Sequence, residues 1–141
     1  MPRLRSLLFV PGDRPERMAK ALTLGADALI LDLEDSVALA NKSGARTAVA
    51  EFLGRPRSTT LFVRINPLDS GLADDDLAAV LPARPDGIVL PKAEGAASLA
   101  ALDARLDGDI MILPIATETP AAIFALDSYG GVTPRLAGLT W

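Results

Sequence analysis

Three acids stand together at Asp32, Glu34 and Asp35, directly after the apolar run Ala28 to Leu31. A buried strand that ends in carboxylates delivers charge to the mouth of a site, while a solvated acidic loop after a core strand is the plainer reading. Arg64 is embedded in Phe62-Val63-Arg64-Ile65-Asn66. A guanidinium on such a strand is costly to bury unless an anion faces it. That anion is Glu34 or Asp35 in a salt bridge, or else a substrate carboxylate or thioester oxygen. The second is favoured, because one mouth would receive both the acids and the arginine. Glu118 closes Pro114-Ile115-Ala116-Thr117-Glu118. It reads as a charge near a helix N-terminus, or as a ligand for a hard cation. Lys92 is expected to pair with the acid cluster rather than to touch substrate. Asp32, Glu34 and Asp35 are expected to orient Arg64 and metal-bound water rather than to ligate metal themselves. Arg14 and Lys20, on the first helix and the turn into it, could reach phosphates of a nucleotide-like ligand, whereas Arg17 reads as part of a solvated face.

The inventory narrows that chemistry. The chain has 141 residues, with neither cysteine nor histidine, and a net charge of −4. Disulfides, thiolate sites, a Ser-His-Asp triad and a histidine base are excluded. A metal here must be held by oxygen, as magnesium, manganese or calcium are. Without a basic run, nucleic-acid binding has little support. Half the residues are hydrophobic and mean hydropathy is +0.30, so a packed core is expected. Leu7 to Val10 is too short for the core of a signal peptide, and no apolar run could cross a membrane, so a cytoplasmic protein is the expectation.

The elements that must position these residues alternate. Strands are expected at Leu4–Val10, Ala28–Leu31, Thr59–Asn66, Gly87–Leu90 and Ile110–Ala116, with a sixth beginning at Arg135–Thr140. Between them, Asp13 and Glu16 form a capping box for a helix that carries Met18 and stops near Gly25. Further helices are expected at Ala45–Leu53, Asp74–Leu81 and Ala96–Leu106, and from a Thr119-Pro120 cap to Leu126. Strict βαβα alternation predicts an α/β fold with a parallel sheet. An open doubly wound sheet and a closed barrel both fit, and polar groups after almost every strand favour the barrel. Eight units need ~250 residues. The chain is therefore expected to be the N-terminal portion of one TIM (β/α)8 barrel domain, 1–141, about its first six units.

Five motifs occur in order: Phe9-Val10-Pro11-Gly12-Asp13-Arg14-Pro15-Glu16-Arg17, Leu31-Asp32-Leu33-Glu34-Asp35-Ser36-Val37, Val63-Arg64-Ile65-Asn66, Leu90-Pro91-Lys92 and Glu118-Thr119-Pro120. As a set they resemble the citrate lyase beta-subunit-like group of the aldolase/citrate lyase family, which includes malyl-CoA lyases. The resemblance implies a TIM barrel that uses magnesium to cleave or form a carbon–carbon bond in an acyl-CoA thioester of citryl-CoA or malyl-CoA type. It implies that Arg64 binds substrate and that Glu118 ligates metal and contacts substrate. Phe9, Arg14 and Lys20 would contact the CoA-bearing substrate, with Glu34 and Asp35 in support. A second ligand, an aspartate, would follow Gly138-Leu139-Thr140-Trp141, beyond Trp141. A homo-oligomer, trimer or hexamer, is also implied. The alternatives are a metal-dependent aldolase on a free 2-oxo acid, and an inactive fragment or non-catalytic binding protein.

Overall fold

A computed structural model describes residues 4–141. Five strands, β1 (Leu7–Pro11), β2 (Ala28–Asp32), β3 (Thr60–Arg64), β4 (Gly87–Leu90) and β5 (Met111–Pro114), form one sheet. They lie in sequence order, and every pair is parallel. A doubly wound sheet reverses its strand order at a switch point, and this one does not. The sheet is a section of barrel wall. The helices α1 (Pro15–Ala21), α2 (Lys42–Leu53), α3 (Ala73–Val80), α4 (Ala96–Asp103) and α5 (Pro120–Phe124) fill the connections. No helix among the described residues is long and apolar enough to cross a membrane.

The period-2 alternation of strand side chains divides the core in two. Leu29, Leu31, Leu61, Val63 and Ile88 face outward and pack with Met18, Val49 and Leu99 of the helices. Ala28, Ile30, Phe62, Val89, Leu113 and Ile115 form a separate inner cluster, with Leu7 packed against it. Gly87 belongs to this inner layer, where a side chain would collide with the Phe62 ring. Both faces of the central strands are covered, which explains their unbroken apolar runs.

Three expectations are corrected. Asp13 does not cap α1. Arg14 occupies the N-cap position with no side-chain cap bond, and Asp13 Oδ2 instead accepts from Asn41 Nδ2 at 3.2 Å. Pro15 still opens the helix, its fixed φ substituting for a side-chain cap. The sixth strand is broken into bridges, Ile112 with Leu136 and Ile115 with Thr140. Gly138, at φ +155°, lies between them and interrupts the ladder. Several helix bounds shift. α2 starts at Lys42, α4 ends at Asp103, and α5 ends at Phe124 before a 3-10 turn at Leu126–Tyr129. The Thr119 cap forms as expected, its hydroxyl accepting from the Ala122 amide at 3.1 Å.

Candidate active site at the strand C-termini

Register builds the site. Phe9 pairs with Ile30, and Asp32 pairs with Arg64. Asp32 shares the parity of Ala28 and Ile30, and Arg64 that of Phe62, so both continue the inner face past its apolar layer. They meet there as an ion pair. Arg64 Nε and Nη2 donate to the two oxygens of Asp32, each at 2.7 Å. Glu34 Oε2 lies 3.0 Å from Arg64 Nη1, a charge contact that falls short of hydrogen-bond geometry, so this buried oxygen has no hydrogen-bond partner. The guanidinium also lies over the Phe9 ring, 4.7 Å from its centroid. The partners of Arg64 are therefore Asp32 and Glu34, whereas Asp35 is exposed and makes no hydrogen bond among the described residues.

Lys92 joins the cluster as expected. Its Nζ donates to Glu34 Oε1 at 2.7 Å. Its backbone is left-handed, with φ +50°, an uncommon state for a residue with a side chain. That turn aims the Lys92 amide at Glu118 Oε2, at 2.6 Å. Glu118 is thereby tied to the end of β4, and its Oε1 makes no hydrogen bond among the described residues. Glu118 suits magnesium as one hard oxygen ligand. Among the described residues no three acids gather as a metal-binding group, so Glu118 by itself would supply only part of a shell.

Burial and pairing compete over these charges. Burial would raise the Asp32 carboxyl, but bonds from Arg64, Ser36 and the Glu34 amide outweigh it and hold the group below its ordinary value. Burial would lower Arg64, but Asp32, with Glu34 and Asp35 nearby, raises it. The bond to Glu34 raises Lys92. For Lys42, burial prevails and lowers the ammonium against the pull of Asp76, Asp32 and the other acids.

Phe9, Val10, Pro11, Asp32, Ser36 and Arg64 line a cavity of about 320 Å³. A larger one, about 1030 Å³, lies at the opposite ends of β4 and β5, near Asp86 and Ile110. The smaller one is the candidate site, because functional residues of β/α barrels gather at strand C-termini. Arg14 and Lys20 stand apart from the cluster. Arg14 is half-exposed, 3.8 Å from Asp13. Lys20 lies in the last turn of α1, about 9 Å farther along the helix at 1.5 Å per residue.

Sequence reasoning overlooked a buried layer below the acids. Asp76 is fully buried and accepts from Asn66, through the main-chain N at 2.8 Å and Nδ2 at 2.6 Å, and from Arg46 Nε at 2.7 Å. Asp76 lies in the first turn of α3 beside Asp74 and Asp75, where an acid is ordinary. Its position on the same face as the apolar Ala73, Leu77 and Val80 was the available signal.

Comparison with known proteins agrees with this fold. The family model for HpcH/HpaI aldolase/citrate lyase matches residues 5–128. The citrate lyase subunit beta of Haemophilus influenzae is 33% identical over 147 aligned residues, covering 96% of this chain and 50% of that protein. The chain thus spans about half of that relative's length. The citrate lyase beta subunit of Mycobacterium tuberculosis, complexed with oxaloacetate and magnesium, superposes with a TM-score of 0.77 at 35% identity, over 96% of this chain and 56% of that one. CitE from the same organism, in complex with magnesium, acetoacetate and coenzyme A, gives 0.80 at 33% identity, over 100% and 49%. With five motifs in register on a parallel barrel wall, and a family match over most of its length, the chain belongs to the HpcH/HpaI aldolase/citrate lyase family.

Proposed function

We propose that this chain is the N-terminal portion of a barrel domain that cleaves or forms a carbon–carbon bond in the CoA thioester of a hydroxy-carboxylic acid, of citryl-CoA or malyl-CoA type. The observation that carries this reading is the state of Arg64. Asp32 occupies Nε and one N–H of Nη2. Among the described residues the other N–H of Nη2 and those of Nη1 make no hydrogen bond, and Nη1 has only a charge contact with Glu34 Oε2 at 3.0 Å, so these donors can turn to a substrate carboxylate. Asp32, Glu34 and the Phe9 face hold the guanidinium still, so substrate meets a pre-set fork. Glu34 is already shared by Arg64 and Lys92, which fits a supporting role rather than contact with substrate.

Glu118 would hold magnesium, which when bound stabilises negative charge on a substrate oxygen. The Lys92 amide fixes one oxygen of Glu118 and so limits its rotation. Arg14 and Lys20 would face CoA phosphates as separate, exposed cations. The relatives solved with magnesium, oxaloacetate, acetoacetate and coenzyme A support this choice of ligands.

Oxaloacetate calorimetry tests the reading. Arg64→Ala should abolish measurable binding and turnover while circular dichroism is retained. Binding of oxaloacetate by a folded Arg64→Ala protein at wild-type affinity would sink the clamp role.

A further inference from the structure

Beneath the acid loop lies a buried cation that the chemistry above does not use. Lys42 opens α2 and is 9% exposed. Its Nζ donates to the main-chain oxygens of Leu33, at 2.6 Å, and Glu34, at 2.7 Å. A lysine in the first helical turn faces the positive end of the helix dipole, and burying its ammonium is costly. Neither helix formation nor solubility explains it there. Asn66 reaches the same Leu33 oxygen through Nδ2 at 3.0 Å and is itself held by buried Asp76. The Leu33 amide donates to Arg64 O at 2.9 Å. The peptide between Asp32 and Glu34 is therefore gripped from two sides, and those two residues are the carboxylates that face Arg64.

We propose that Lys42 and Asn66 are positioning residues for Arg64: they lock the main chain between Asp32 and Glu34 and so set the direction of its guanidinium. The inference rests on the reading of Arg64 as the substrate clamp. The physical reason is reach. Asp32 holds Arg64 through two bonds of 2.7 Å, and a shift of the loop by about 1 Å would take both out of range. The Glu34 and Ser36 amides also donate to Asp32, at 2.9 and 3.0 Å, so the carboxylate is tied to this loop and moves with it.

Two variants test this. Lys42→Met keeps the stem and removes the donors, and Asn66→Ala removes the other donor to Leu33. Hydrogen exchange of the Glu34 and Ser36 amides and of Arg64 Nε–H is followed by NMR, with the Leu29 and Val63 amides of the central strands as internal controls. Oxaloacetate affinity is measured alongside. In each variant, exchange at the three reporters should rise, and affinity fall, about 10-fold, with the control amides unchanged. Unchanged reporters in a folded variant overturn the proposal. So does equal loosening of reporters and controls, or failure of both variants to fold, since the pair would then be merely structural. Faster exchange at Arg64 with unchanged oxaloacetate affinity would leave positioning intact and defeat the clamp reading instead.

Discussion

Arg64 and Asp32 are 12% and 1% exposed at the side chain, so their ion pair is shielded from bulk water. Removing one partner of such a pair leaves an uncompensated charge. Asp32→Asn should therefore lower stability by about 3 kcal/mol near neutral pH, the lower end of the range because Glu34 still faces Arg64. The pH dependence has a definite sign. The folded Asp32 carboxyl titrates below its ordinary value, so its contribution is fully present above about 3.9 and is lost as pH falls through the lower, folded value. Urea unfolding between pH 6 and pH 2.5 should show wild-type stability falling toward that of Asp32→Asn. Parallel curves at constant separation would show that the charge of Asp32 contributes nothing. The half-exposed Lys92 bond to Glu34 is more screened, and Lys92→Met should alter stability by about 1 kcal/mol or less.

At the scale of elements, the junction of β1 and α1 presses on the end of β2. The Gly12 amide donates to Asp32 O at 2.8 Å. A methyl group on Gly12 would lie 2.6 Å from that oxygen and 2.9 Å from Val49 Cγ2. One of these contacts is backbone and cannot move aside. Gly12→Ala should thus cost about 1–3 kcal/mol by overpacking and weaken oxaloacetate binding as well, because Asp32 moves with its carbonyl. Thermal melts and calorimetry would check both. A Gly12→Ala protein with unaltered melting and affinity would show that this approach is not tight in solution.

Across the whole molecule, the described chain presents two unpaired strand edges: the outer edge of β1 and the outer side of the broken segment that bridges to β5. Phe124 and Trp141 are 89% and 92% exposed. Free edges beside apolar side chains favour association between copies. The 141-residue polypeptide should therefore self-associate in a concentration-dependent way, and Phe124→Ser with Trp141→Ser should reduce it. Sedimentation velocity over a range of concentrations would check this, and a monomer at all concentrations would contradict it.

The sequence by itself determined the alternation of elements. Ala28–Leu31 and Gly87–Leu90 are apolar without interruption, and only strands covered on both faces need that. It also determined which side chains could do chemistry, since a chain with neither histidine nor cysteine leaves carboxylates and cations at strand ends. Pairings across the sheet were not legible. Whether Arg64 meets Asp32, Glu34 or Asp35 depends on register, which shifts side chains between faces with each residue of slip. The same holds for Lys42 and Asp76. The place of Asp76 on an apolar helix face hinted at burial, but only the packing of α2 against the end of β2 and of α3 against the end of β3 supplies the partners of Lys42 and Asp76. The break at Gly138 was decided there too, because a single-strand pattern does not record where a neighbouring ladder fails. Local pattern is set by the solvent each face meets, whereas partnership between charges is set by distances that exist only after the sheet has formed.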